Sequence, residues 1–382
     1  MVSRLLILIL VLFLGAVVII PFVLNIAGVT SFQFGSLSGG PQAGSGILLR
    51  SGDGGMGWEN TVFSGARRIR APDKILDIAF HPQNADIVFA GTKSSGLWKS
   101  DDGGKSWGKI TDQSRALESN ADVYRIEVSR SNPQIIYLAV FQNSRGRVFK
   151  SENSGLSFRE IYFVTANRFG VFDLYVNPQD SNHVIVVTGQ GGILESRNGG
   201  KTWHVIKWFS EALTRILVNP AFYGEIFVVI SSGKLFKTFD GGENWADLQE
   251  PGIKTGTFPP PNATLNPFVG LTSKRSIEAL VADPNNFTTL FIGSKEGLVR
   301  STDGGFSWDR VNLLIPPEDL PVSAVAVSYS DSNKIFATAS TQFHKTTDGG
   351  ENWTVSALPT RFRTNKILVH PLRSDTMFAV LK

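Results

Sequence analysis

The sequence predicts an all-β fold: a seven-bladed β-propeller of four-stranded antiparallel blades, closed two strands plus two, and preceded by one N-terminal transmembrane helix. Three observations carry this. One hairpin pattern recurs seven times, a pair of apolar strands joined by a proline-containing turn recurs between its copies, and each chain end holds half of one such unit. With 38 glycines, 11% aromatic and 42% hydrophobic residues among 382, the composition suits many short strands and tight turns around a large core.

The N-terminal segment breaks the β pattern. From Leu5 to Val29 the chain carries no charge over 25 residues. At about 1.5 Å per residue a helix of that length crosses a hydrocarbon layer of roughly 30 Å with some tilt. A signal anchor over residues 1–30 is expected rather than a cleaved and secreted form, because Asn25–Gly28 offers a poor cleavage site. The amino terminus and Arg4 precede the span and no basic residue follows it before Arg50. That asymmetry predicts a single-pass protein of the cytoplasmic membrane, with its N-terminus in the cytoplasm and its propeller outside. Residues 31–45 read as a Gly/Ser-rich linker and residues 46–382 as the propeller.

The hairpin pattern is Ser/Thr, any, Asp/Asn, any, Gly, any, any, Trp/Phe, and its copies begin at Ser51, Ser100, Ser151, Ser196, Thr238, Ser301 and Thr346. The polar position holds Asp53, Asp102, Asn153, Asn198, Asp240, Asp303 and Asp348; the ring position holds Trp58, Trp107, Phe158, Trp203, Trp245, Trp308 and Trp353. Glycines such as Gly103 and Gly104 take positive φ cheaply, the Asp and Ser oxygens accept turn amides, and the ring packs between neighbouring hairpins. These acids are therefore expected to be structural.

Between hairpins come strand A, a proline turn and strand B, as in Ile75–Thr92, Val171–Gly189 and Ile277–Ser294. The first hairpin has no A–B pair before it, whereas Lys366–Leu381 is an A–B pair with no hairpin after it. Pairing the two halves closes the ring and hides the edges of an open sheet.

Strand A lines a propeller's channel, so residues just before each strand A ring one opening. Those places hold Arg67, Arg68, Arg70, Arg125, Arg168, Arg215, Lys274, Arg275, Arg361 and Arg363, while one blade offers Glu318 and Asp319 instead. Some basic residues are simply solvated loop positions. Guanidinium groups converging on a funnel, however, bind carboxylate, phosphate or sulfate bidentately. The long connection at 251–273, with Pro259, Pro260, Pro261, Phe258 and Phe268, is either a protruding contact element or a neutral insertion. Trp208 and Phe209 belong either to the same rim or to the packing beneath it.

Asp77 and Asp173 each stand five residues before an A–B proline, where other blades have Arg215 and Lys366. Two channel carboxylates are the minimum for glycoside hydrolysis, which makes them weak catalytic candidates. Charge pairing with the arginines is the simpler role, since their blades are not adjacent. Zero cysteines exclude disulfides, iron–sulfur clusters and thiol nucleophiles, and His81, His183, His204, His344 and His370 are scattered singly. No metal or cofactor is expected. A net charge of +4, from 37 basic and 33 acidic residues, gives no reason to expect nucleic acid. The expected partners are the membrane, through the N-terminal helix, and a protein or peptide client or an anionic polymer at the arginine face.

The seven hairpins resemble the Asp-box, or BNR, repeat over residues 46–382. The chain thereby resembles the photosystem II assembly and stability factors, single seven-bladed propellers with an arginine patch. It is more distantly similar to the ten-bladed sortilin propeller, which binds peptides, and to xyloglucan-degrading glycoside hydrolases, which use two tandem propellers. The first likeness implies a non-catalytic assembly module. The alternative is a carbohydrate-active enzyme, a glycoside hydrolase or sialidase-like protein. A single propeller cannot form the inter-propeller cleft of the former, and no Tyr–Glu pair accompanies Arg68-Ile69-Arg70-Ala71-Pro72, which faintly resembles a sialidase arginine motif.

Overall fold

The computed structural model describes residues 47–64, 72–249, 277–313 and 315–382. The apolar run, the linker, Arg67, Arg68, Arg70, Lys274, Arg275 and the 251–273 connection lie outside the described residues. Among the described residues no helix is long and apolar enough to cross a membrane.

Seven antiparallel sheets follow one another along the chain. Strands A of blades one to seven are Ile75–Phe80, Asp122–Val128, Val171–Val176, Leu213–Val218, Ala279–Asp283, Val322–Val327 and Thr364–His370. Blade seven is assembled from both ends of the chain: Arg373–Leu381 pairs with Leu48–Ser51, Leu49 opposite Ala379 and Arg50 opposite Phe378. The two-plus-two closure follows directly from that register.

The apolar core divides into seven clusters, each joining one blade to the next. The cluster of Leu48, Ile75, Ile78, Trp98, Trp107 and Phe378 joins blade seven to blade one and completes the ring. Strands B are buried along most of their length, wholly so in Val88–Thr92 and Val184–Thr188, because each lies mid-sheet with a neighbouring blade on both faces.

Blade one departs from the four-strand expectation. Val62–Ser64 adds a fifth strand, parallel to strand D at Ser106–Lys109. Leaving blade seven at its outer edge, the chain meets the unpaired backbone of blade one's outer strand, and pairing there satisfies that edge. Phe63 anchors the addition, stacked on Trp107 at 5.6 Å and edge-on to Trp98 at 5.4 Å.

The repeated hairpins form as their residue types dictate. Ser51 donates to Asp53 Oδ1 (2.7 Å) and accepts from the Gly55 amide (2.9 Å), while Asp53 Oδ1 accepts from Met56 and Gly57. Partial burial works to raise the carboxyl pKa, but the several hydrogen bonds to the charged form together outweigh burial and lower the pKa to about 2 at Asp102 and Asp240. The A–B turns share a second device: His81, Ser129, Asn177, Asn219, Asp283, Ser328 and His370 each accept turn amides through a side-chain atom. His81 and His370 are thus turn caps through Nδ1.

Candidate functional site: the channel register and its mouth

One position of strand A carries the site. In six blades the register shifts just before it. Starting from blade seven, this position holds Lys366, Asp77, Arg125, Asp173, Arg215, Ala279 and Ala324, facing Val380, Gly91, Ala139, Val187, Val229, Gly293 and Thr338. Charge therefore alternates over five consecutive blades and stops at two alanines. Arg125 and Arg215 lie inside strands A, not in the connections before them as the sequence suggested, because both strands begin upstream of the bulge.

Ion pairs run from blade to blade along this row. Lys366 Nζ lies 2.8 Å from Asp77 Oδ1, and Arg125 Nη1 3.8 Å from the same oxygen. Arg125 Nε lies 3.2 Å from Asp173 Oδ1, and its Nη2 pairs with Glu127. The acids also hold the backbone: Asp77 Oδ2 accepts from Ile126 N (3.0 Å) and Asp173 Oδ2 from Ile216 N (3.1 Å), each in the following blade's strand A. Asp173 Oδ1 further accepts from Leu174 N at 2.9 Å. Every oxygen of both carboxylates is engaged.

The electrostatics follow from this packing. Burial disfavours the Arg125 charge, yet Glu127, Asp173 and Asp77 together raise its pKa above the ordinary value. Burial pushes Glu127 upward, as do Asp77 and Asp173, against the pull of Arg125. Burial lowers Arg215, and Arg125 adds to the effect, while Asp173 and Glu278 oppose it. Arg215 donates to the Glu278 carbonyl at 3.2 Å, and no carboxylate among the described residues forms an ion pair with it.

At the mouth, Arg168, Arg361 and Arg363 are exposed in the connections that precede strands A. Arg168 takes φ +70° and donates its amide to Ser144 O at 2.7 Å, which fixes the connection against a B–C turn. Exposed rings accompany it: Phe163 (43%), Phe169 (41%) and Trp208 (51%). Phe209 instead packs on Phe236 and Trp245, 5.0 and 5.3 Å between centroids. The predicted pair is thus split, Trp208 facing solvent and Phe209 partly buried against neighbours. Glu318 and Asp319 sit on a short 3-10 turn, where Asp319 accepts from Gln342.

Sequence reasoning missed Glu127, Phe163 and Phe169; alternation within strands A and D was the available signal for the first two, while Phe169 lies in the connection between strands. It also read the histidines as isolated. The fold brings His183 Nε2 and His204 Nε2 to the two oxygens of Glu195, each at 2.6 Å. Among the described residues no group of three or more His, Asp or Glu side chains could hold a metal ion.

No family model matches the chain. An oligoxyloglucan-reducing end-specific xyloglucanase of Emericella nidulans is 24% identical over 159 residues, 36% of this chain and 18% of that enzyme. Among solved structures, the GH74 xyloglucanase of Xanthomonas campestris aligns at TM-score 0.60 and 14% identity, covering 82% of this chain and 51% of its own. YCF48 bound to D1 peptide aligns at TM-score 0.60 and 13% identity, covering 90% and 99%; YCF48 from Cyanidioschyzon merolae aligns at 0.57 and 14%, covering 82% and 97%. The chain spans about half of the xyloglucanase structure and under a fifth of the Emericella enzyme. These likenesses show the seven-bladed propeller fold.

Proposed function

We propose that this chain is a non-catalytic binding and assembly propeller, tethered by residues 1–30 to the outer side of a cytoplasmic membrane, whose seven hairpins are Asp-boxes. Its arginine-bearing mouth takes a polypeptide client or an anionic polymer. One observation carries the reading: all oxygens of Asp77 and Asp173 are bound by backbone amides or cations, while Arg168, Arg361 and Arg363 stand exposed around the opening. A carboxylate so engaged is a poor proton donor to a glycosidic oxygen. The match in length to YCF48, one of whose structures holds a peptide, supports a single propeller acting as a receptor.

The test is crosslinked capture from the native membrane, with wild-type chain beside the Arg168→Ala/Arg361→Ala/Arg363→Ala variant. Capture should be lost while the thermal transition stays in place; unchanged capture removes the mouth from the function. The likeness to xyloglucanases makes glycoside hydrolysis the competing reading. Product release from a xyloglucan oligosaccharide panel, lost in Asp77→Asn or Asp173→Asn, would establish it.

A further inference from the structure

The charged row along strands A is uneven. Arg125 forms ion pairs with three carboxylates, those of Asp77, Asp173 and Glu127, whereas Arg215 forms none among the described residues: Asp173 and Glu278 favour its charge without pairing with it, and it donates to the Glu278 carbonyl. In the first four steps of the row each cation is followed by an acid or each acid by a cation; after Arg215 the next two blades carry Ala279 and Ala324. A guanidinium partly withdrawn from water without an ion-pair partner in contact is costly, and the cost falls when an anion arrives.

We propose that Arg215 is the receptor for one carboxylate group of a ligand entering the channel, the group that completes the alternation at blades five and six. This rests on the reading of the channel mouth as the binding face and adds the chemistry recognised there. A single planar carboxylate suits a single guanidinium fork. Asp173, one blade away, and Glu278 already act on Arg215 and disfavour a dianion such as phosphate more than a monoanion. The row itself supplies the template. Asp77 and Asp173 each use one oxygen on a cation and the other on a strand A amide of the following blade, Ile126 N and Ile216 N. The corresponding amide beyond Ala279 is that of Val325.

The experiment titrates 13C-labelled formate into the full chain in detergent micelles at constant ionic strength, reading line width. Wild-type chain should broaden the signal saturably, and Arg215→Met should weaken binding by about tenfold or more. Ala279→Asp places a carboxylate from the protein itself at the vacant step, so it should abolish formate binding while the chain keeps a cooperative thermal transition. Formate binding unchanged in Arg215→Met overturns the proposal, as does unchanged binding in a folded Ala279→Asp chain. If Ala279→Asp does not fold, Arg215→Met decides alone, with its thermal transition as the control. Phosphate competing better than formate also overturns it. The Arg168→Ala/Arg361→Ala/Arg363→Ala variant separates the two readings: it should still bind formate. Loss of client capture from no variant, with formate still bound at Arg215, would remove the receptor function and leave the carboxylate site standing.

Discussion

Lys345 Nζ in blade six donates to the carbonyl oxygen of Gly54 at 3.1 Å, a contact between residues 291 apart that crosses from one blade to the chain's first hairpin. The same position, one before the hairpin Ser or Thr, makes the same bond elsewhere. Arg50 reaches Gly103 O (2.8 Å), Lys237 reaches Gly304 O (2.5 Å) and Arg300 reaches Gly349 O (3.0 Å). Each cation ties its blade to the turn of the next.

Removing one such tie should cost a charge-assisted hydrogen bond. Lys345→Met is expected to lower unfolding free energy by about 1–2 kcal/mol, read as a lower urea midpoint with unchanged slope. Lys99→Met is the control. Lys99 pairs with Asp101 at the surface, and its loss should change stability by less than about 0.5 kcal/mol.

The hairpin glycines should differ in tolerance. A Cβ on Gly104, at φ +85°, would lie 2.3 Å from the Phe378 ring of blade seven, whereas one on Gly241, at φ +74°, meets nothing within 4 Å. Gly241→Ala should cost only the backbone strain, about 1–2 kcal/mol, and Gly104→Ala clearly more. Thermal unfolding of the two variants checks the order.

Acid should loosen the A–B turns. Burial, reinforced by Arg373, lowers His370 from 6.5 to about 4, and its Nδ1 accepts the Leu372 and Arg373 amides. Between those values the unfolded chain binds a proton that the native chain does not. Stability is therefore full above pH 6.5 and falls as pH drops toward 4, by about 3 kcal/mol from this group. His81 and His344, also lowered chiefly by burial, act in the same direction. His370→Asn supplies the acceptor used at Asn177 and Asn219, and urea midpoints between pH 7 and 4 should show a shallower slope for it.

Asp173 should behave as a brace. Asp173→Ala strips Ile216 N of its acceptor and Arg125 of a counter-charge, an expected loss of about 3–5 kcal/mol. Asp173→Asn keeps an acceptor for the amide and should lose less. Equal losses in the two variants would contradict this account.

The repeat was legible in sequence because the hairpin is a local device: its oxygens and glycines lie within eight residues, so spacing alone reveals it. The closure was legible for the same reason, as a count of halves. Arg125 was misplaced by only a few residues, but the bulge ahead of it, which decides its orientation, leaves no mark in composition. The fifth strand at Val62–Ser64 and the gathering of His183 and His204 on Glu195 left no periodic signal at all.

Amino-acid order by itself determined the seven hairpins, the strand pairs between them and the halves that complete blade seven, since each is a short-range preference of backbone and turn chemistry. Only tertiary structure decided which charges meet. Lys366 and Asp77, 289 residues apart, come within 2.8 Å because the ring closes between them, and Arg215 has no ion-pair partner among the described residues because blades five and six present alanine at that register. Electrostatic partnership across blades depends on distances that the chain acquires only when the circle is complete.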